Sequence, residues 1–420
     1  MKIKSTLIAL SLCLPLVGQA AEKPKNIIFM IGDGMGPAYT TAYRFYKDDP
    51  ATKEIETTVF DRILVGMSRT SPAKVDGYIT DSAAAATAMA TGVKTYNGAV
   101  GVDEHKYSVE TLFEKAKAKG KATGVAVTSQ VNHATPASFL AHNEYRRNYV
   151  EIAREYLDSD ADVILGGGQK YFSKELVSKF KRKGYQYLNN INKLNEIKSG
   201  KVLGLFAEVQ LPWVVNEPKA HELSRMTQKA LDLLSQDNKG FVLLVEGSLI
   251  DWAGHNNDIV TAMGEMDEFA RSIKVAEQFV KQNPDTLLVV TADHSTGGLT
   301  VGANGTKAWY PEVLRNVKAS PDRIVAELKD IKSWKSQLVT QLGFEPKKKE
   351  WIELKNARKK DDDAFTTAIK HLIDVRSNTG WTTGSHTAVD VQVFATGQGY
   401  QSFIGSQDNT ELAKKLASLL

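Results

Sequence analysis

An α/β fold, with a large and mostly parallel sheet between layers of helices, follows from three features of this 420-residue sequence. Short apolar runs recur through residue 300 and read as strands buried on both faces. Segments of helical periodicity lie between them, the alternation expected of parallel strands joined by crossover helices. The runs also end abruptly in small and polar residues, and open α/β sheets place their ligands at such carboxyl ends.

The first strand is Asn26 to Ile31, followed by the glycine-rich turn Gly32-Asp33-Gly34-Met35-Gly36, which carries Asp33. About fifty residues later, Thr80-Asp81-Ser82 precedes an alanine-rich run to Gly92 with high helix propensity. That places the Ser82 hydroxyl at a helix N-terminus, where free N–H groups favour phosphate. Ser108 is expected to open a helix with Glu110 in its first turn and Gly120 just past its end. Ala122 to Thr128 reads as the next strand and leads to Asn132-His133-Ala134-Thr135-Pro136, then to Arg146 and Arg147. Gly166-Gly167-Gly168 reads as a tight turn, since no Lys-Ser/Thr follows as in a phosphate loop.

Phe241 to Val245 runs into Glu246, and the next turn supplies Asp251 and His255, which share a face if that turn is helical. A helix from about Asp258 to Gln282 buries Ile259, Met263, Met266, Phe269, Ile273, Ala276 and Val280 at three- and four-residue spacing. Thr286 to Thr291 ends in Ala292-Asp293-His294-Ser295-Thr296-Gly297-Gly298. From about 301 to 380 the character changes: Lys347-Lys348-Lys349 and the run Arg358 to Asp363 read as solvated helices packed over the sheet edge, not as a polyanion site. Thr383-Gly384-Ser385-His386-Thr387 then precedes a strand at Val391 to Ala395. A last helix from about Asn409, with Leu412, Leu416 and Leu419, should pack back on the sheet. Of the remaining histidines, His105, His221 and His371 read as surface residues and His142 as a structural hydrogen-bonding group.

Residues 1–20 have the build of a secretory signal: Lys2 and Lys4, an apolar stretch from Leu7 to Val17, and Gly18-Gln19-Ala20 as cleavage site. The apolar part is too short for a permanent anchor. Cys13, the only cysteine, lies inside this leader and follows Leu12, where a lipoprotein site needs a small residue. The expectation is a periplasmic or secreted chain, 21–420, with no disulfide and no membrane contact after cleavage. The formal net charge of +4 includes Lys2 and Lys4, so the remainder is too small to imply a nucleic-acid partner.

The motifs IGDGMG, TDSAAAATAMATG with the following VKTYNGAVG, HATP, VEGSLIDWAGH, TADHSTGG and GSHT together resemble the alkaline phosphatases, a family of metal-dependent phosphomonoesterases. The six motifs occur in the family's order from Asn26 to about Phe394. The resemblance implies a three-layer sandwich and hydrolysis of phosphate monoesters to an alcohol and inorganic phosphate by a zinc-activated serine, through a phosphoseryl intermediate. It implies two Zn2+ and one Mg2+ per chain. By resemblance, Asp251, His255 and His386 hold the first zinc, and Asp33, Asp293 and His294 hold the second, with Ser82 as ligand and nucleophile. Asp33, Thr135 and Glu246 form the third site, with His133 beside it.

These residue types suit the reaction. A phosphate dianion repels nucleophiles and its alkoxide is a poor leaving group, difficulties that two cations about 4 Å apart address. Histidine and carboxylate suit zinc, whereas oxygen ligands suit magnesium. Arg146 or Arg147 would clamp the phosphate through a bidentate guanidinium; by resemblance, counting from Thr135, the family's phosphate arginine falls on Arg146, with Arg147 the less favoured neighbour.

Two positions depart from some members. His133 stands where certain bacterial enzymes have aspartate, and Trp252 where they have lysine, which leaves the third metal open between magnesium and zinc. The region 301–380 corresponds to a variable insertion near the active-site mouth, short here. Dimers are common in the family, so a homodimer is compatible. The rival readings are a phosphodiesterase or sulfatase of the same superfamily, or a secreted phosphate- or metal-binding protein without catalysis.

Overall fold

The computed structural model describes residues 23–420; the leader expected over 1–20, with Cys13, lies outside the described residues. In chain order the strands are β1 (Asn26–Gly32), β2 (Leu64–Arg69), β3 (Ala122–Gln130), β4 (Val163–Gly167), β5 (Gln186–Leu188), β6 (Val202–Leu205) and β7 (Phe241–Gly247). They continue with β8 (Thr286–Thr291), β9 (Ser295–Thr296), β10 (Thr300–Val301), β11 (Thr379–Gly380), β12 (His386–Thr387), β13 (Val391–Gly397) and β14 (Gly405–Asp408). The first helices are α1 (Pro37–Lys47), α2 (Val59–Arg62), α3 (Ser82–Thr91), α4 (Leu112–Ala118), α5 (Ala134–Leu140), α6 (Tyr149–Glu155), α7 (Lys174–Arg182) and α8 (Glu222–Leu234). Then follow α9 (Leu249–His255), α10 (Ile259–Gln282), α11 (Pro311–Asn316), α12 (Pro321–Leu328), α13 (Trp334–Leu342), α14 (Lys348–Lys360), α15 (Asp362–Ser377) and α16 (Asn409–Leu419).

Ten strands form one sheet in the order β14-β2-β13-β8-β1-β7-β3-β4-β6-β5. All pairings in it are parallel except those of β13, which runs antiparallel to both β8 and β2. Alternate residues of each strand enter opposite cores. Ile28, Met30, Leu243, Val245, Leu288 and Val290 pack in the core on the α8 and α10 side, while Ile27, Phe29, Ile31, Val242, Leu244 and Val289 pack in the core on the α3 and α5 side. Each such side chain contributes roughly 1.5–3 kcal/mol by burial, which fixes the strand faces.

The register aligns the strand ends. Ile31 of β1 lies opposite Glu246 of β7 and Thr291 of β8, and Glu246 in turn lies opposite Val127 of β3. The four central strands therefore discharge their next residues at one level.

Several sequence expectations are corrected in detail. The helix expected from Ser108 begins at Leu112 instead, because Thr111 and Glu114 form a reciprocal capping box. His221 is at the surface only in part: it precedes α8 with φ of 48°, half-buried, and its Nδ1 lies 3.4 Å from Oε2 of the buried Glu268. His105 and His371 are exposed. His142 has the structural role expected, with Nδ1 against the Gly101 carbonyl at 2.6 Å and Nε2 against Glu114 at 2.9 Å.

The helices of the charged segment, α11 to α15, pack against α1 and one another and not over the sheet edge. Leu338, Leu342, Leu354, Phe365 and Ile369 continue the α10-side core outward. Arg315 seats the first of these helices by donating to the carbonyls of Phe45, Tyr46 and Asp48, where α1 ends with unpaired acceptors. Two short antiparallel ladders bracket the segment, β9 with β12 and β10 with β11. The last helix, α16, packs mainly on α3 and also touches β14 at the sheet edge, with Leu412 and Leu416 in the core that holds Val393 of β13.

Candidate metal centre and nucleophile

The loops leaving the aligned strand ends converge on Ser82. Asp81 caps α3 by accepting the Ala84 N–H at 2.9 Å, which makes Ser82 the first helical residue. Its Oγ lies 3.1 Å from His294 Nε2 and 3.5 Å from Asp33 Oδ1, and all three residues are buried.

Three groups of ligand atoms surround this point. Asp251, His255 and His386 bring theirs within 4.8 Å of one another, as do Asp33, Asp251 and His294, and as do Asp33, His133 and Glu246. Asp293 belongs with the second group, since its Oδ2 lies 3.2 Å from His294 Nε2. Thr135 is fully buried on α5, the helix that follows His133. Asp251 and His255 share a face of α9, as their spacing predicted, with 3.3 Å between Oδ2 and Nε2. His386 arrives on β12, whose pairing with β9 sets it beside Thr296 and stacks its ring on His294 at 3.6 Å.

The donor set fits divalent cations. Among the described residues, Asp33 Oδ2, Asp293 Oδ2, both Glu246 carboxyl oxygens and Thr135 Oγ1 are buried with no hydrogen-bond partner. Burial without a partner is costly for such groups. The His255 and His386 imidazoles make the same point. Each turns Nδ1 to a backbone carbonyl, Gly384 at 2.8 Å and Thr80 at 2.9 Å, so that both aim Nε2 inward and the two Nε2 atoms meet at 3.1 Å. Two facing lone pairs need a cation or a proton between them, and a carbonyl on the far nitrogen is the usual support of a metal-binding histidine.

Electrostatics of the bare chain agree. Burial, reinforced by Asp293, Asp251 and Glu246, holds the Asp33 carboxyl well above its ordinary range. Burial also pushes Glu246 up to about 8 and Asp293 to about 7. Asp251 is the exception: burial opposes its ionisation, but His255, His294 and His386 outweigh it and hold it low. Its hydrogen bond in turn raises His255 to about 9. His294 is held well below the usual range by burial and by His386.

Arg146 stands at the open side. Its Nη1 donates to Asp81 Oδ2 at 2.8 Å, and its Nη2 lies 3.3 Å from His133 Nε2. Burial opposes its charge, yet Asp81 more than compensates and raises the guanidinium further. His133 is driven down to about 3 by burial and by Arg146, so it is a neutral imidazole whose ring meets Trp252 edge-on at 5.6 Å. Arg147 is exposed and makes neither of these contacts. Ser82, Arg146, His133, Trp252 and His386 all line one cavity of about 590 Å3.

Sequence reasoning did not assign Asp81 to Arg146, nor Thr296 to Asp251 and His294, to which its hydroxyl hydrogen-bonds. Asp81 had a signal in its cap position before Ser82; Thr296 had none beyond membership of TADHSTGG.

The profile of the alkaline phosphatase family matches residues 24–420. Alkaline phosphatase 3 of Bacillus subtilis is 44% identical, over 95% of this chain and 89% of its own. A cold-active alkaline phosphatase from the psychrophile Shewanella sp. superposes with a TM-score of 0.93 at 59% identity, covering 94% of this chain and 99% of that one. A His-to-Asp variant of TAB5 alkaline phosphatase, with Mg bound in the M3 site, superposes with a TM-score of 0.72 at 29% identity, over 95% and 98% of the two chains. With its strand ends converging on a serine ringed by buried acids and histidines, and with these relatives along its length, the chain belongs to the alkaline phosphatase family.

Proposed function

We propose that this chain hydrolyses phosphate monoesters by transferring the phosphoryl group to Ser82 and then to water. Phosphomonoesterase activity follows from the family. The observation that carries it is Ser82 Oγ, at the N-terminus of a ten-residue helix, 3.1 Å from His294 Nε2 in the cavity that Arg146 also lines. A helix N-terminus favours the dianion and the guanidinium binds two of its oxygens. Asp81 holds that guanidinium in place. The Ser82 oxygen attacks phosphorus in line, the P–O bond to the alcohol breaks as the Oγ–P bond forms, and water then releases inorganic phosphate from the phosphoserine.

Two zinc ions would be held by Asp251, His255 and His386 and by Asp33, Asp293 and His294, and a magnesium by Asp33, Thr135 and Glu246 with His133 beside it. When bound they supply a lowered pKa for the serine hydroxyl and compensation for charge on phosphate and leaving oxygen.

Turnover of p-nitrophenyl phosphate, its bis-ester and its sulfate analogue is the test. A strong preference for the monoester supports the reading; preference for the bis-ester or sulfate, or no turnover of any, overturns it.

Residues 1–20 are proposed as an export leader removed before Ala21, giving a periplasmic or secreted chain with 301–380 as a helical insertion and no cysteine. No helix of the described residues is long and apolar enough to cross a membrane. N-terminal sequencing of exported protein should begin at or near Ala21, and an intact leader on active protein would count against export. A homodimer is part of the proposal by family likeness alone.

His133 and Trp252 should tune the third site. Nitrogen from a neutral imidazole favours zinc, whereas an aspartate would favour magnesium, in keeping with the magnesium named in the TAB5 variant. Trp252 also offers no positive charge towards phosphate. The double variant His133→Asp with Trp252→Lys is expected to bind inorganic phosphate more tightly, by roughly tenfold for one added buried charge contact, and to depend more on added magnesium. Phosphate inhibition constants with and without magnesium provide the check; unchanged constants would show that these positions do not tune the site.

A further inference from the structure

The segment Tyr96-Asn97-Gly98 contributes no metal ligand and no nucleophile, yet it hydrogen-bonds to Asp81, which precedes Ser82, and to the backbone of Arg146. Asn97 Oδ1 accepts the backbone N–H of Asp81 at 2.7 Å, and its Nδ2 donates to the Ile79 carbonyl at 3.2 Å. Its own N–H donates to the Asp76 carboxylate. The next residue completes the connection: Gly98 N–H donates to Asp81 Oδ1 at 3.1 Å, and the Gly98 carbonyl accepts the Arg146 N–H at 2.8 Å. Gly98 has φ of 93°, a left-handed backbone conformation that favours glycine, while a Cβ there would meet the Tyr145 ring only at an ordinary 3.4 Å. Tyr96 closes the far side by donating its hydroxyl to the Glu144 carbonyl at 2.8 Å.

We propose that Asn97 is a positioning residue for phosphoryl transfer, holding Ser82 and Arg146 in one frame through Asp81. The proposal rests on the roles given above to Ser82 and Arg146. Asp81 is the hinge of the arrangement. One carboxylate oxygen caps α3 and receives Gly98; the other orients Arg146 Nη1 at 2.8 Å; its backbone N–H, which precedes the helix ladder, has Asn97 as its partner. The backbone of residues 79–81 is thus fixed by a side chain fifteen residues or more further along, immediately before the nucleophile. A loss of this bond lets the nucleophile and the guanidinium drift independently, and a displacement of about 1 Å can cost about 100-fold in rate.

The experiment compares Asn97→Ala, Asn97→Asp and Arg146→Ala, singly and with Asn97→Ala in the Arg146→Ala background, on the metal-loaded full chain. Asn97→Ala is expected to lower kcat/KM for p-nitrophenyl phosphate by on the order of 10–100-fold, with zinc content and Tm unchanged. Asn97→Asp keeps an acceptor towards Asp81 N–H, so kcat should stay within about threefold while the added charge raises KM for the dianion. In the Arg146→Ala background, Asn97→Ala should cost less than about a third of its effect in the wild type, because part of what it positions is already gone. Equal losses in both backgrounds would overturn the proposal, as would a loss that tracks Tm or zinc content, or no loss at all. Phosphate label on Ser82 in wild-type protein is read separately, so failure of the phosphatase reading is distinguishable from failure of this one.

Discussion

Ser82→Ala is expected to lower kcat for phosphate monoesters by at least about 10³-fold, the scale on which removal of a covalent nucleophile is felt, while the fold and the metal content remain. The substitution is structurally mild. Ser82 begins a helix in which Ala83 to Ala86 are already buried, and the cap is supplied by Asp81 and not by Ser82 itself. Removing Oγ breaks its contacts with His294 and Asp33 but leaves every other ligand in place. Residual turnover would come from direct attack by water on a phosphate still held by Arg146. Acid quenching with labelled substrate should find phosphate on Ser82 in the wild type and none in the variant. Near-wild-type turnover, or label on a different residue, would remove Ser82 from the nucleophile's role.

Metal removal has the second large effect, on stability as well as on rate. Asp33, Glu246, Asp251 and Asp293 are each no more than 3% exposed and lie at one point of the interior. Without cations, burial raises the Asp33 carboxyl and pushes Glu246 up to about 8, so protons compete with metal for these oxygens. Cations displace those protons, so metal affinity should rise with pH and loading should release protons. Exhaustive chelation is expected to abolish turnover and to lower Tm by roughly 10 °C, since each site saturated about 1,000-fold above its Kd contributes about 4 kcal/mol. Zinc with magnesium should restore both. His386→Ala should lower zinc content by about one ion, because it removes one of three proteinaceous ligands at that position. Calorimetry and metal analysis on the chelated and reloaded protein decide this; full activity with no metal detected would refute the ligand assignment.

How much of this could be read without coordinates varies by the range of the interaction. The central strands announce themselves because a strand covered on both faces has nowhere to place a polar residue, so Ile27 to Ile31 and Leu287 to Val290 are unbroken apolar runs. Asp33, Glu246 and Asp293 stand out as charges at the end of such runs. What stayed hidden depends on partners far away in sequence. Asp81 and Arg146 are 65 residues apart, and nothing local in either tells that they meet. His221 looked like a solvated side chain because its burial comes from Glu268 on another helix. The Thr111 cap was missed for a different reason, since Ser108 is an equally good capping residue and only the reciprocal bond from Glu114 decides between them. The seating of α11 on α1 is fixed by Arg315 reaching carbonyls about 270 residues earlier in the chain.

The paired ladders around 297–385 have an evolutionary consequence. Thr296 is held to His386 and Val301 to Thr379, so the chain leaves the catalytic body and returns to it through a neck fixed at both edges. Loop closure grows only logarithmically with length, about 0.6 kcal/mol for each doubling. With the neck held, the surface turns between the helices of Gly302 to Asn378 can change length without moving His386 towards or away from Asp251, while Arg315 keeps the segment seated on α1. Diversification of the rim is thereby uncoupled from the chemistry, and the neck is the natural place to graft a foreign module onto this enzyme.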